Sequence, residues 1–255
     1  MKLPFDTDSG AGWRATIGLI MLQAEETLEN EFRDLFALDG VALHHARIPS
    51  GLDVTPETLR AQAAEMTRTA ALIPRSPTLR AIAYACTSGA TMIGSDNVAA
   101  AIRQAHPGVT VTDPVVALGA ALHHLGRRHL GFVSPYVATV SGPMRDLLGR
   151  QGFPVVRFGS FEQSEEAVVA RITPQSLLQA IIAVGEDPAV EAVFASCTNL
   201  RGFPIIDAAE QRLGKPVLTS NQVLAWHLLH LTGLSPASPG PGRLFRPLPS
   251  ASPRA

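Results

Sequence analysis

The chain of 255 residues contains two cysteines, Cys86 and Cys197, and both follow the same kind of segment. Residues 81–88 and 192–199 each read as an apolar run, a small residue, and then Cys-Thr-Ser or Cys-Thr-Asn. A thiolate can act as a nucleophile or a base, and a thiol can act as an acid. Two thiols at the same point of a repeated unit therefore predict a two-thiol site. Such a site suits cofactor-free racemisation, cis-trans isomerisation or decarboxylation of a small acid.

The elements that must position these thiols alternate between predicted strands and predicted helices. Apolar runs predict strands at residues 15–21, 41–48, 79–85, 109–112, 130–134, 155–158, 190–196 and 217–219. Helical spacing and capping signals predict helices at 27–38, 55–72, 95–105, 114–125, after residue 136, and at 173–185, 205–213 and 221–231. This alternation predicts an α/β fold with mostly parallel sheets flanked by helices.

The offset between the two cysteine segments indicates an internal repeat. The cysteines are 111 residues apart (197 − 86), and the next pair of strand ends is 107 residues apart (218 − 111). We therefore expect two similar halves related by a pseudo-twofold axis, with the site in the crevice between them. Residues 1–116 with about 222–246 would form the first half and residues 117–221 the second. The Pro- and Ser-rich residues 247–255 would be a flexible tail, while residues 242–245 could dock.

Each cysteine is predicted to lie where a strand ends, which is where open α/β sheets bind ligands. Backbone amides and a helix N-terminus at such a place lower the pKa of a thiol. The neighbouring Thr87, Ser88, Thr198 and Asn199 offer small donors that could hold a carboxylate. A single buried cysteine is more often inert, but the repetition of the whole segment favours function.

These residues resemble a known family. Residues 84–89 (Tyr-Ala-Cys-Thr-Ser-Gly) and 196–201 (Ser-Cys-Thr-Asn-Leu-Arg) are similar to the two cysteine motifs of maleate cis-trans isomerases. That family belongs to the aspartate/glutamate racemase superfamily and has arylmalonate decarboxylase as a relative. Residues 134–136 resemble its Pro-Tyr segment, and residues 242–245 resemble the C-terminal segment of the decarboxylases.

The resemblance implies a role for each matching residue. Cys86 would add to a substrate double bond or transfer a proton, and Cys197 would be the second thiol, acting as acid or base. The decarboxylases have glycine at the first cysteine position, so decarboxylation is the weaker analogy. The hydroxyls of Thr87 and Ser88, just after the first cysteine, and of Tyr136 would hold a substrate carboxylate. The backbone amides at Thr198 and Asn199 would hold it as well.

The loop after the first strand departs from the resemblance. Maleate isomerases carry a carboxylate-binding asparagine there, whereas this chain reads Gln23-Ala24-Glu25. A second family asparagine is missing from residues 161–166. The acidic loop is closer to isomerase-like proteins of ectoine utilisation, so we expect Glu25, with Gln23, to contact a substrate that carries an amine or amidine. The alternative is that Glu25 is a solvated loop acid or a charge at a helix N-terminus.

Composition excludes several function classes. A net charge of −1 indicates no nucleic-acid partner, and no apolar run is long enough to predict a membrane span. Residues 1–8 carry acids where a signal peptide needs an apolar core, so no signal peptide is predicted. We expect a cytoplasmic protein with reduced thiols, no cofactor and no metal, since the histidines and cysteines lack zinc-site spacing. A homo-oligomer, dimer or tetramer, is expected. Two alternatives to the isomerase remain open: an amino-acid-derivative racemase or epimerase on the same thiols, and a small-acid binding module without catalysis.

Overall fold

The computed structural model describes residues 1–51 and 53–247, and they contain two four-stranded parallel sheets. The first sheet has the order β2-β1-β3-β4 and the second has the order β6-β5-β7-β8. The strands are β1 (Ala15–Leu22), β2 (Val41–Ile48), β3 (Leu79–Ala85), β4 (Thr110–Thr112), β5 (Leu130–Tyr136), β6 (Val155–Gln163), β7 (Ala192–Ala195) and β8 (Val217–Thr219). The two sheets share one topology, so the predicted α/β fold with two like halves is confirmed.

Helices flank both sheets and mostly match the predicted positions. They are α1 (Leu28–Arg33), α2 (Pro56–Ala70), α3 (Thr87–Ile93), α4 (Ser95–Ala105), α5 (Pro114–Leu125), α6 (Ala138–Arg150), α7 (Glu166–Val169), α8 (Pro174–Gly185), α9 (Ile206–Leu213) and α10 (Ser220–Thr232). Helix α1 is half the predicted length, and the short helices α3 and α7 were not predicted. Both missed helices begin beside the candidate site.

The central strands are buried on both faces because helices cover them. All eight residues of β1 and all seven of β5 are buried, which is why each reads as a nearly unbroken apolar run. The edge strand β6 is only partly buried and extends five residues beyond the predicted end at 158. Polar residues in its second part hid this extension from the apolar pattern.

Capping residues fix where the longer helices begin. The Thr55 hydroxyl accepts a hydrogen bond from the Thr58 amide at 3.1 Å, and the Thr58 hydroxyl accepts one from the Thr55 amide at 3.0 Å. Pro56 follows at the first helical position, as predicted. The same reciprocal arrangement joins Thr219 and Gln222 at the start of α10.

The C-terminal segment packs back onto the second half. Leu244 is buried in a short 3-10 turn (Arg243–Phe245), and the Arg243 amide donates to Glu210 Oε2 at 2.8 Å. Helix α10 contacts both α5 and β3. The division of the chain at 116/117 and 221/222 stays a prediction, and the predicted flexible tail lies, apart from residue 247, outside the described residues.

Candidate active site

The first thiol sits at the junction of β3 and α3. Cys86 follows the last strand residue directly and is the N-terminal cap of α3, with its Sγ accepting a hydrogen bond from the Gly89 amide at 3.3 Å. Burial in the closed site raises the pKa of the Cys86 thiol to about 12, outweighing the amide contact. The Gly89 amide lowers the pKa of this thiol, as expected, but burial reverses the net direction.

The second thiol follows β7 in a strained backbone conformation. Cys197 has φ of 141°, a region that residues with a side chain rarely adopt. Its amide donates to Ser220 Oγ at 3.0 Å, and its Sγ accepts from the Asn199 amide at 3.3 Å. Such strain costs on the order of 1–3 kcal/mol and persists only where surrounding contacts impose it. Burial raises the pKa of this thiol as well.

Both thiols line one enclosed cavity between the halves. Its volume is about 10 Å³, room for about one water molecule. Every lining residue lies at or just after the carboxyl end of a strand: Leu22, Glu25, Cys86, Thr87, Ser88, Tyr136, Glu166, Cys197, Thr198 and Asn199. Since the cavity is this small, a substrate enters only when its walls separate.

Tyr136 and Glu166 flank Cys197. The Tyr136 hydroxyl, at the end of β5, lies 3.1 Å from Cys197 Sγ and donates to Glu166 Oε1 at 2.8 Å. The other carboxyl oxygen of Glu166 accepts from Asn199 Nδ2 at 3.1 Å. Burial raises the pKa of Glu166 above its usual range, and these two donors counteract part of that rise.

Glu25 is buried at the same cavity and is held by three donors. The Thr198 hydroxyl donates to its Oε2 at 2.7 Å, while the amides of Thr27 and Leu28 donate to its Oε1 at 2.7 and 2.9 Å. Burial raises the pKa of Glu25, with these hydrogen bonds opposing the rise. Glu25 thus both caps the first turn of α1 and lines the cavity, and it is not a solvated loop acid.

Asn199, in the second half, is hydrogen-bonded to the loop at residues 24–27 of the first half. Its Nδ2 also donates to the Ala24 carbonyl at 3.0 Å, and its Oδ1 accepts from the Glu26 amide at 2.9 Å. The Thr27 hydroxyl donates to the Asn199 carbonyl at 3.0 Å. The asparagine side chain is therefore fully used in holding the cavity wall together.

Most of the predicted site residues meet at this cavity, but Gln23 does not. Leu22 lines the cavity, and successive side chains of a strand face opposite sides. The Gln23 amide donates to the Ile48 carbonyl at 2.8 Å, which continues the pairing of β1 with β2 and leaves the Gln23 side chain exposed. The Gln23 side chain is therefore not part of the cavity wall, and its contact with substrate stays a prediction.

Sequence reasoning missed Glu166 and Ser220. Glu166 lies at the end of residues 161–166, the segment that lacks the family asparagine, so its position was visible but its role was not. Ser220, fully buried at the start of α10, accepts from the Cys197 amide and from the Thr87 hydroxyl, the latter at 2.7 Å. Nothing in its sequence context links it to both cysteine motifs.

Among residues 1–51 and 53–247, no cluster of three or more His, Cys, Asp or Glu side chains could hold a metal ion. Within the same residues, no helix has the length and apolar character needed to cross a membrane. His227 is instead paired with the Thr112 hydroxyl at 2.8 Å.

The fold and the site define a class: α/β proteins of two like halves that place one thiol from each half on a shared cavity. A model of the arylmalonate decarboxylase family matches residues 51–245 of this chain. The chain belongs to that family.

Sequence relatives and a solved structure agree with this membership. The maleate isomerase of Alcaligenes faecalis is 22% identical over 243 residues, covering 90% of this chain and 95% of that protein. The maleate isomerase of Nocardia farcinica is 25% identical over 241 residues, with the same coverage. A cysteine-to-serine mutant of Nocardia farcinica maleate cis-trans isomerase, solved with a covalently bound succinylcysteine intermediate, superposes with a TM-score of 0.80 at 24% identity, covering 91% of this chain and 98% of that one. The resemblance to maleate isomerases is confirmed.

Proposed function

We propose that this protein is a cofactor-independent isomerase that uses Cys86 and Cys197 on a small carboxylic acid. The observation that carries the proposal is the shared cavity, to which each half contributes one thiol at a strand end. Sequence relatives that bear the name maleate isomerase, and a succinylcysteine intermediate seen in one structural neighbour, support it.

The cis-trans reaction needs both thiols. The Cys86 thiolate adds to one carbon of the double bond, and Cys197 gives its proton to the adjacent carbon, leaving a single bond that can rotate. Return of the proton to Cys197 and departure of the Cys86 thiolate then restore the double bond in the other geometry. Both thiols are regenerated, so the reaction needs no oxidant and no cofactor.

The hydroxyls of Thr87, Ser88 and Tyr136, with the amides at Thr198 and Asn199, would hold the substrate carboxylate. All five residues line the cavity together with both thiols. Hydrogen-bond donors that face a developing negative charge in a water-poor site stabilise the transition state strongly.

Glu25 directs the choice of substrate. Two carboxyl groups, Glu25 and Glu166, line the cavity, and none of the described lining side chains is Lys, Arg or His. A second carboxylate on the substrate would be repelled there, whereas an amine or amidine would pair with Glu25. We therefore favour an amino-acid-derived acid, of the kind handled in ectoine utilisation, over maleate. The acidic loop at residues 23–29 supports this choice.

Glu25→Gln tests the substrate assignment. The variant should lose activity on an amine-bearing acid and keep or gain activity on maleate, compared in parallel with wild type by steady-state kinetics. The matched control is Glu29→Gln, which changes a partly exposed carboxylate of α1 that pairs with Arg47 outside the cavity. Full activity of Glu25→Gln on a cationic acid would contradict the assignment.

Turnover in deuterium oxide separates the isomerase from the two alternatives. An isomerase converts cis to trans acids and loses activity in both Cys86→Ser and Cys197→Ser. A racemase or epimerase incorporates deuterium at the Cα of a chiral acid. A binding module keeps its affinity in both serine variants and turns over no acid in any form.

We place the protein in the cytoplasm, where free thiols stay reduced. We also propose a homo-oligomer, dimer or tetramer. Sedimentation of the purified protein tests the assembly, and a monomer at micromolar concentration would contradict it.

A further inference from the structure

Glu166 is tied to Cys197 by two separate paths. One path runs from Glu166 Oε1 through the Tyr136 hydroxyl to Cys197 Sγ, over contacts of 2.8 and 3.1 Å. The other runs from Glu166 Oε2 to Asn199 Nδ2 at 3.1 Å and from the Asn199 amide to Cys197 Sγ at 3.3 Å. The carboxyl and the thiol thus belong to one closed ring of hydrogen bonds.

Tyr136 has a single hydroxyl proton for two acceptors. If Glu166 is ionised, the Tyr136 hydroxyl donates its hydrogen bond to the carboxylate, and Cys197 keeps its own proton. If Glu166 is protonated, the Tyr136 hydroxyl can instead donate its hydrogen bond to a thiolate at Cys197. The protonation states of the carboxyl and the thiol are therefore coupled.

We propose that Glu166 is the proton partner of Cys197, acting through Tyr136. Cys197 passes its proton to the Tyr136 oxygen while Tyr136 passes its own proton to Glu166, which leaves a thiolate and a neutral carboxylic acid. The reverse transfer, in which Glu166 returns the proton through Tyr136, restores the thiol of this pair, whereas a proton that Cys197 has given to substrate comes back from substrate. Net charge is unchanged, so no proton needs to reach solvent from a cavity that holds about one water molecule.

The surroundings of the ring favour internal transfer. The other titratable groups at the cavity are Glu25 and Cys86, and no Lys, Arg or His lines it among the described residues. With no cation to stabilise an isolated charge, two anions so close together are disfavoured. Among the other charged groups of the adjoining loops and helices, Asp53, Glu165, Glu26 and Arg171 are exposed. Glu31 of α1 is only partly exposed but does not line the cavity, and it accepts a hydrogen bond from Asn221 Nδ2 at 2.8 Å. The role rests on the proposed function, although its test uses no substrate.

The test is the pH dependence of thiol alkylation by iodoacetamide, measured for each cysteine by peptide mass spectrometry. Where Glu166 and Cys197 share one proton, the thiolate fraction at Cys197 does not change with pH, whereas that at Cys86 rises about tenfold per pH unit. In wild type, the ratio of the Cys197 alkylation rate to the Cys86 alkylation rate should therefore fall about tenfold per pH unit. This fall applies at pH values above that at which Glu166 ionises. Using the ratio cancels the rate at which the cavity opens.

Glu166→Gln should abolish this fall and give a constant ratio, because an amide cannot take the proton. Tyr136→Phe should do the same, and Glu166→Asp should restore the fall. Thermal unfolding of each variant verifies that it is folded. Parallel ratio profiles in wild type and Glu166→Gln would overturn the proposal, because a purely structural role changes rates without changing the profile. That result would leave the isomerase proposal standing.

Discussion

Ser220 provides the sharpest test of how the fold positions the two cysteine motifs. Its Oγ accepts from the Cys197 amide at 3.0 Å and from the Thr87 hydroxyl at 2.7 Å, at a fully buried position. In Ser220→Ala the Cys197 amide loses its acceptor. The Thr87 hydroxyl can rotate, but the amide cannot.

An unsatisfied buried donor costs about 1–3 kcal/mol. For a protein of this size, each kcal/mol corresponds to roughly 2–4 °C in Tm. We expect Ser220→Ala to lower Tm by about 2–12 °C and to lower kcat more than it raises KM, because Cys197 is no longer held in its positive-φ conformation. Thermal unfolding and steady-state kinetics measure the two effects.

Ser141→Ala is the matched control. Ser141 is also a buried serine, but its hydroxyl donates to the Val137 carbonyl one turn earlier in the same region of α6, so its removal leaves no donor without a partner. Ser220→Ala should be clearly less stable than Ser141→Ala. Equal stability and equal activity of the two variants would refute the assigned role.

Two further predictions concern the surroundings of the site. A Cβ at Gly89 would lie 2.0 Å from the Tyr84 hydroxyl, so Gly89→Ala should displace the start of α3 and lower activity at least tenfold. Gly142→Ala is the control, because no atom lies within 4 Å of the added carbon, and it should leave activity unchanged. Steady-state kinetics and thermal unfolding compare the two variants, and equal activity would contradict the close packing at Gly89. Burial raises the pKa of Glu31 from 4.5 to about 7, so the folded state favours its protonated form, and its contribution to stability is complete below about pH 4.5 and is lost as pH rises through 7. The free energy of unfolding of Glu31→Gln, measured with urea, should therefore rise relative to that of wild type by up to about 3 kcal/mol between pH 5 and 8. Glu57→Gln changes an exposed position of α2, and its free energy of unfolding should follow the wild-type pH dependence. The same pH dependence in Glu31→Gln and wild type would contradict the buried acid.

The sequence predicted the strands well because burial on two faces leaves a direct signal. The apolar runs at β1, β3 and β5 start within one residue of their predicted positions. The repeat of the cysteine segments also predicted which strand ends meet. Helices α3 and α7 escaped because they have only seven and four residues, too few to show helical periodicity.

The site was only partly predictable for a different reason. Cys86, Cys197 and their neighbours in sequence are found by a repeated motif. Glu166 reaches the cavity, and Ser220 reaches the two cysteine motifs, through tertiary contacts alone. The pKa direction of the thiols was also mispredicted, because local amides are visible in the sequence but the depth of burial is not.

In the proposed reaction both thiols act on one substrate, and Cys86 forms the covalent bond. Maleate and unsaturated acids that carry an amine are first tested as substrates of wild type. Each acid that wild type isomerises is then incubated with Cys197→Ser, and the peptides of the protein are analysed by mass spectrometry. We expect an adduct with the mass of the acid on Cys86, and none in the double variant Cys86→Ser, Cys197→Ser. An acid that is turned over by wild type without any adduct on Cys86, or turnover that survives in Cys86→Ser, would contradict it.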